Sequence, residues 1–137
     1  MEVNIWAVIV TTIVLFAING LWYSVLFGKQ WSSITGFDKM SPEEQELMKK
    51  KAGPMYGIQL VLTLFQTSVL AAFIHNSTMS GFWTALWIVA AFVLPTLVGA
   101  TMWSGMEKKK MQMQMKIQAG AHIVSFIVAG IILSMWK

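Results

Sequence analysis

From Ala52 to Met106 the chain runs for 55 residues without a lysine, arginine, aspartate or glutamate. No soluble surface can be made from such a stretch. An ordinary soluble domain carries about 25% charged residues, whereas this chain has 12%. A single helix of that length would reach about 80 Å at about 1.5 Å per residue, well beyond a hydrocarbon core of about 30 Å. The stretch must therefore double back. The turn formers His75-Asn76-Ser77-Thr78-Met79-Ser80-Gly81 mark where it does so.

This reading predicts spans over about residues 55–74 and 82–103. A charge-free run over 3–27 supplies a further span before them, and 117–136 supplies one after. The first run lacks a basic flank and a small-residue cleavage site, so it is expected to remain as a span rather than to act as a signal peptide. A soluble domain is excluded, and so is a nucleic-acid binder, despite a pI near 9.5. The expected fold is all-α: an integral membrane bundle of four transmembrane helices forming one domain over 1–137, with the lipid bilayer as its first partner.

The charges that exist are concentrated. Nine lie between Lys29 and Lys51, and five between Glu107 and Lys116. Nine of the ten lysines fall in the first and third loops, which predicts that both loops are cytoplasmic and both termini outside. Lys49, Lys50, Lys51 and Lys108, Lys109, Lys110 determine topology, and they would also attract anionic lipid. Ser41-Pro42-Glu43-Glu44 reads as a capping box with proline at the first helical position. It predicts a short amphipathic helix over 42–51 on the cytoplasmic leaflet, separated from the second span by Ala52-Gly53-Pro54. The aromatic residues near span ends, Trp22, Tyr23, Trp31 and Trp136 among them, fit interfacial anchors.

Within the spans there is no carboxylate, no arginine and no cysteine. Proton-coupled export through a buried carboxylate, bidentate phosphate recognition and thiol chemistry all lose their residues. Neutral polarity remains. Gln59, Thr63, Gln66 and Thr67 share one helical face of the second span. Asn19 and Tyr23 lie on the first span, and Gln118, His122 and Ser125 on the fourth. At about 1.5 Å per residue, Asn19 lies about 12 Å, Gln59 about 6 Å and His122 about 8 Å from the cytoplasmic ends of their spans. These depths predict a polar cluster of Asn19, Tyr23, Gln59, Thr63 and His122 in the cytoplasmic half. Gln66 and Thr67 extend it as ligand or pathway candidates. The plainer alternative is that these groups hold helices together, worth about 0.6 kcal/mol per interaction on average.

Ala121, Ser125 and Ala129 form a stripe of small residues on the fourth span, as do Gly20 with Ser24 on the first and Ala91, Pro95 and Gly99 on the third. Pro95 is expected to bend its helix. Met111, Met113 and Met115 would share a face for Cu(I) only in an extended segment, so helix-extending methionine is preferred. No metal or cofactor is expected.

The run from Asn19 to Trp31 resembles the signature of a family of small bacterial four-span membrane proteins known only as a domain of unknown function. In that family Trp-Tyr-Ser closes the first span and Leu-Phe-Gly-Lys with a further Trp follows, as Trp22-Tyr23-Ser24, Leu26-Phe27-Gly28-Lys29 and Trp31 do here. Its last span tends to carry a histidine and end near a tryptophan, like His122 and Trp136. Where many relatives have proline after Trp-Tyr-Ser, this chain has Val25. The resemblance implies a four-span fold in the bacterial cytoplasmic membrane and brings no activity with it.

Three classes of function follow. The first is a structural or accessory protein whose polar cluster is packing. The second is a channel or carrier for a neutral solute or small ion. The third is a membrane enzyme acting on lipid or another hydrophobic substrate, with His122 as base and Tyr23 as its partner, for which no nucleophile–base–orienter set is visible. So small a bundle encloses little space, so a homo-oligomer, a dimer or trimer, is expected.

Overall fold

The computed structural model describes residues 3–136. Asn4 starts the first helix, its side chain accepting from the backbone N–H groups of Trp6 at 3.0 Å and Ala7 at 3.3 Å. Helix α1 (Ile5–Leu21) then widens into a π turn over Trp22–Leu26, in which Phe27 N–H reaches back five residues to the Trp22 carbonyl at 2.9 Å. A short helix α2 (Gly28–Thr35) stops at Gly36, whose φ of 77° suits glycine. A 3₁₀ turn over Phe37–Lys39 leads to the long α3 (Pro42–Asn76). The third span consists of α4 (Gly81–Ile88), a π turn over Val89–Val93 and α5 (Leu94–Met102), and α6 (Lys108–Met135) closes the chain. Four helices are thus long and apolar enough to cross a membrane.

One expectation about a helix end is corrected. The capping box is present, with the Ser41 side chain accepting from Glu44 N–H and Glu44 from Ser41 N–H. The helix it starts is not a separate element, because α3 passes unbroken through Ala52, Gly53 and Pro54 for 35 residues. Inside a helix proline clashes with the carbonyl four residues back and with the Cβ and N–H of the residue before it, and Gly53, having no Cβ, removes part of that clash. The lost hydrogen bond is one in a ladder of 35 residues, and residues 46–52 ahead of it are good helix formers. At about 52 Å, α3 is longer than a hydrocarbon core is thick. Helix α6 starts at Lys108, and Met111, Met113 and Met115 extend it ahead of Ile117, where the Lys, Met and Gln residues are all good helix formers.

Pro95 breaks the helical ladder, and the break takes the form of the Val89–Val93 π turn. A wider turn moves the carbonyl four residues back away from the proline ring, which an α-helical turn would hold in collision. The first π turn has no proline to cause it.

Helix α6 is the most buried span, packing against α1, α3, α4 and α5. The core gathers Ala7, Val8 and Leu15 of α1, Leu70, Ala71 and Ile74 of α3, Ala85 of α4, and Phe126, Ala129 and Leu133 of α6. All of these lie in the half of the bundle away from the lysine-bearing loops. There α4 and α6 touch backbone to backbone: a Cβ on either Gly81 or Gly130 would overlap the other's carbonyl oxygen. In the lysine-bearing half, residues 53–62 of α3 are exposed throughout. The bundle is therefore closed at one end and splayed at the other.

The small-residue stripes divide accordingly. Ala121, Ser125 and Ala129 are buried. Gly20, Ser24, Ala91 and Pro95 are exposed, and neither Gly20 nor Gly99 has a neighbouring atom within 4 Å of a Cβ position. These two stripes pack nothing within the described chain.

Candidate functional site

The polar residues of the spans distribute over three places. The first is the seam between α1 and α6. Asn19 Nδ2 donates to the Leu15 carbonyl at 2.8 Å and to Ser125 Oγ at 3.1 Å. One turn on, Trp22 Nε1–H donates to the Ile117 carbonyl at 2.9 Å. Its ring lies over Gly120, where a Cβ would come within 2.8 Å of Trp22 Cζ2. Trp22 is thus an interhelical tie as well as an end-of-span aromatic. Phe27 flanks it with ring centroids 5.0 Å apart, so the π turn is held between the α6 contact and this ring pair.

The second place is the polar face of α3. Thr63 and Thr67 are buried, and each hydroxyl donates to the carbonyl four residues back, Gln59 and Thr63, at 2.8 Å. Their polarity is spent within the helix. Gln59 is exposed and reaches only Thr63 Oγ1, at 3.4 Å. Gln66 is half-buried with no hydrogen-bond partner among the described residues. On α6, His122 is also half-buried and unpartnered among them, while Gln118 accepts from Gln114 at 3.4 Å. No hydrogen bond between helices joins Asn19, Tyr23, Gln59, Thr63 and His122 to one another. Asn19 finds Ser125 instead, and the splay of α3 leaves Gln59 outside.

The third place was not anticipated from the sequence. Tyr23, Ser24, Gly28, Lys29, Ser32 and Asp38 line an open depression of about 510 Å³. The π turn contributes Tyr23 and Ser24, α2 contributes Gly28, Lys29 and Ser32, and the 3₁₀ turn contributes Asp38. Tyr23 is braced by Trp31, ring centroids 4.7 Å apart and edge to face. Phe27, Trp31 and Ile34 at i, i+4 and i+7 before Gly36 were the available sign of α2. The other depression, at the opposite end between Asn4, Ala71, His75 and Trp136, holds only about 20 Å³, room for about one water.

Among the described residues no group of three histidine, cysteine, aspartate or glutamate side chains could hold a metal. No curated protein and no solved structure matches the chain. Residues 6–134 match the family described as protein of unknown function, DUF1761. With four apolar helices in an all-α bundle and that match over almost its whole length, the chain is a multi-pass membrane protein belonging to the DUF1761 family.

Proposed function

We propose that this protein is a structural or accessory membrane component that works as a homo-oligomer, with α3 at the subunit boundary. One observation carries the reading. Met55, Gln59, Leu62, Gln66, Val69 and Phe73 recur at alternating steps of four and three residues along α3, and none is buried. That is the spacing of a coiled-coil seam, in which side chains of one helix fit holes on another. A glutamine amide facing hydrocarbon without a partner is costly. Gln66 is one such amide, and Gln59, seven residues away on the same stripe, reaches only Thr63 Oγ1 of its own helix, at 3.4 Å. A second copy related by a twofold axis would bring Gln59 to Gln59 and Gln66 to Gln66, satisfying both amides and fixing the register.

The other polar groups suit packing. Asn19–Ser125 and Trp22–Ile117 fasten α1 to α6, and the threonines bond within their own helix. In this reading the chain sits in a bacterial cytoplasmic membrane with its lysine-bearing loops inside. Lys49, Lys50, Lys51 and Lys108, Lys109, Lys110 lie against anionic headgroups.

Native mass spectrometry of the full chain released from lipid nanodiscs tests this. The expected result is a dimer or trimer of the 15.3 kDa chain, reduced toward monomer by the double substitution Gln59→Leu with Gln66→Leu. A monomer throughout, with the melting temperature of the variant unchanged, overturns it.

A further inference from the structure

The depression beside the first π turn lies where the first span ends and the lysine-bearing loop begins, the level at which lipid headgroups lie. We infer that it binds a phosphoethanolamine group, presented as the headgroup of a membrane phospholipid.

Its lining carries one cation, Lys29, and one anion, Asp38, both exposed. Neither has an ion-pair or hydrogen-bond partner among the described residues. Opposite charges that share a hollow without neutralising each other suit a ligand that also carries both. A purely anionic ligand would meet Asp38, and a metal cation would meet Lys29 with a single carboxylate to hold it.

The neutral groups fit the same zwitterion. Tyr23 Oη and Ser32 Oγ donate to no other described residue, so both are free donors for phosphate oxygens. Ser24 Oγ donates to the Gly20 carbonyl at 2.6 Å, leaving its lone pairs to accept from an ammonium. Helix α2 starts at Gly28 in the wall of the hollow, without a side-chain cap. Its first N–H groups therefore add positive potential on the Lys29 side. Lys29 with these donors takes the phosphate, and Asp38 takes the ammonium.

The amine should be primary. A carboxylate bonds the N–H groups of an ethanolamine head, which a trimethylammonium lacks. Quaternary ammonium ions are instead held by several open aromatic faces. Here only Tyr23 lines the hollow, and Trp31 packs against its ring.

The test is lipid retention by the full chain, purified in a neutral maltoside and read by native mass spectrometry. The lipids are phosphatidylethanolamine, phosphatidylcholine and phosphatidylglycerol of identical acyl chains. Phosphatidylethanolamine should be retained over both others. Lys29→Gln and Asp38→Asn should each lower its retention about fivefold. Asp38→Asn should also abolish the preference over phosphatidylcholine, and Glu46→Gln, exposed and outside the lining of the hollow, should change neither. Both substituted side chains are exposed, and unchanged melting temperatures check that the variants remain folded. Equal retention of all three lipids, or retention indifferent to Lys29 and Asp38, overturns the proposal. Displacement of the lipid by equimolar soluble phosphoethanolamine overturns its lipid source and assigns the site to the free zwitterion.

Discussion

Two glycines carry close approaches that a methyl group would destroy. Gly130 of α6 faces Gly81 backbone to backbone, and a Cβ there would also lie 2.8 Å from Ala85 Cβ. Backbone cannot step aside as a flexible side chain can, so Gly130→Ala should destabilise the bundle by about 1–3 kcal/mol. Gly99→Ala, with no atom within 4 Å of the new Cβ, should be neutral or slightly stabilising. Thermal unfolding in detergent compares the two, and equal melting temperatures would refute the backbone contact. At the other end, Trp22→Phe should cost about 1 kcal/mol for the bond to the Ile117 carbonyl. Trp22→Ala should cost about 3–5 kcal/mol by emptying the space over Gly120. A Trp22→Phe variant as damaged as Trp22→Ala would mean that the hydrogen bond, rather than the ring, holds the seam. Asn19 could be recognised in the sequence as a polar residue on the first span, and Ser125 as part of a small-residue stripe. Their pairing could not, because it depends on which face α1 turns to α6. Equal depth along separate helices suggested a cluster with Gln59, but depth says nothing about how far apart two helices stand.

At the level of elements, whatever depends on neighbouring residues was legible. The capping box at Ser41 and Glu44 is a pattern of four residues, and it forms as expected. Ser41→Ala should cost about 1 kcal/mol locally. Amide exchange in the first turn of α3 should then accelerate about fivefold, with exchange near Thr67 unchanged. Exchange altered along the whole helix would show that α3 opens as one unit. The end of that helix was read differently because Gly53-Pro54 is ordinarily a stop. Whether a proline ends a helix depends on the turns around it, and here the good helix formers of residues 46–52 carry the helix through despite Gly53 and Gly57. The two π turns illustrate the same limit. The one at Val89–Val93 has a cause in Pro95, whereas the one at Trp22–Leu26 is sustained by contacts with α6 and Phe27, which no local pattern encodes.

On the scale of the whole molecule, the charge-free runs made four helices and their order readable, since a membrane admits few other solutions. The splay was not readable. It follows from where small residues permit close contact, at Gly81 and Gly130, while residues 53–62 of α3 stay exposed at the other end. The lysines predict the sidedness. In intact bacterial cells, an impermeant maleimide should label Thr78→Cys and should reach Lys109→Cys only after permeabilisation. The reverse order would invert the topology. Both variants are clean probes because the chain has no cysteine of its own.

The same absence of cysteine gives direct access to the proposed subunit boundary. Gln59 and Val61 are both exposed and lie at nearly the same depth on α3, but only Gln59 lies on the six-residue stripe. Oxidative cross-linking of single-cysteine variants in native membranes compares them. Gln59→Cys should form a covalent dimer efficiently and Val61→Cys should not. Equal cross-linking of the two, or none at Gln59→Cys, would contradict the assignment of α3 to a homo-oligomeric interface.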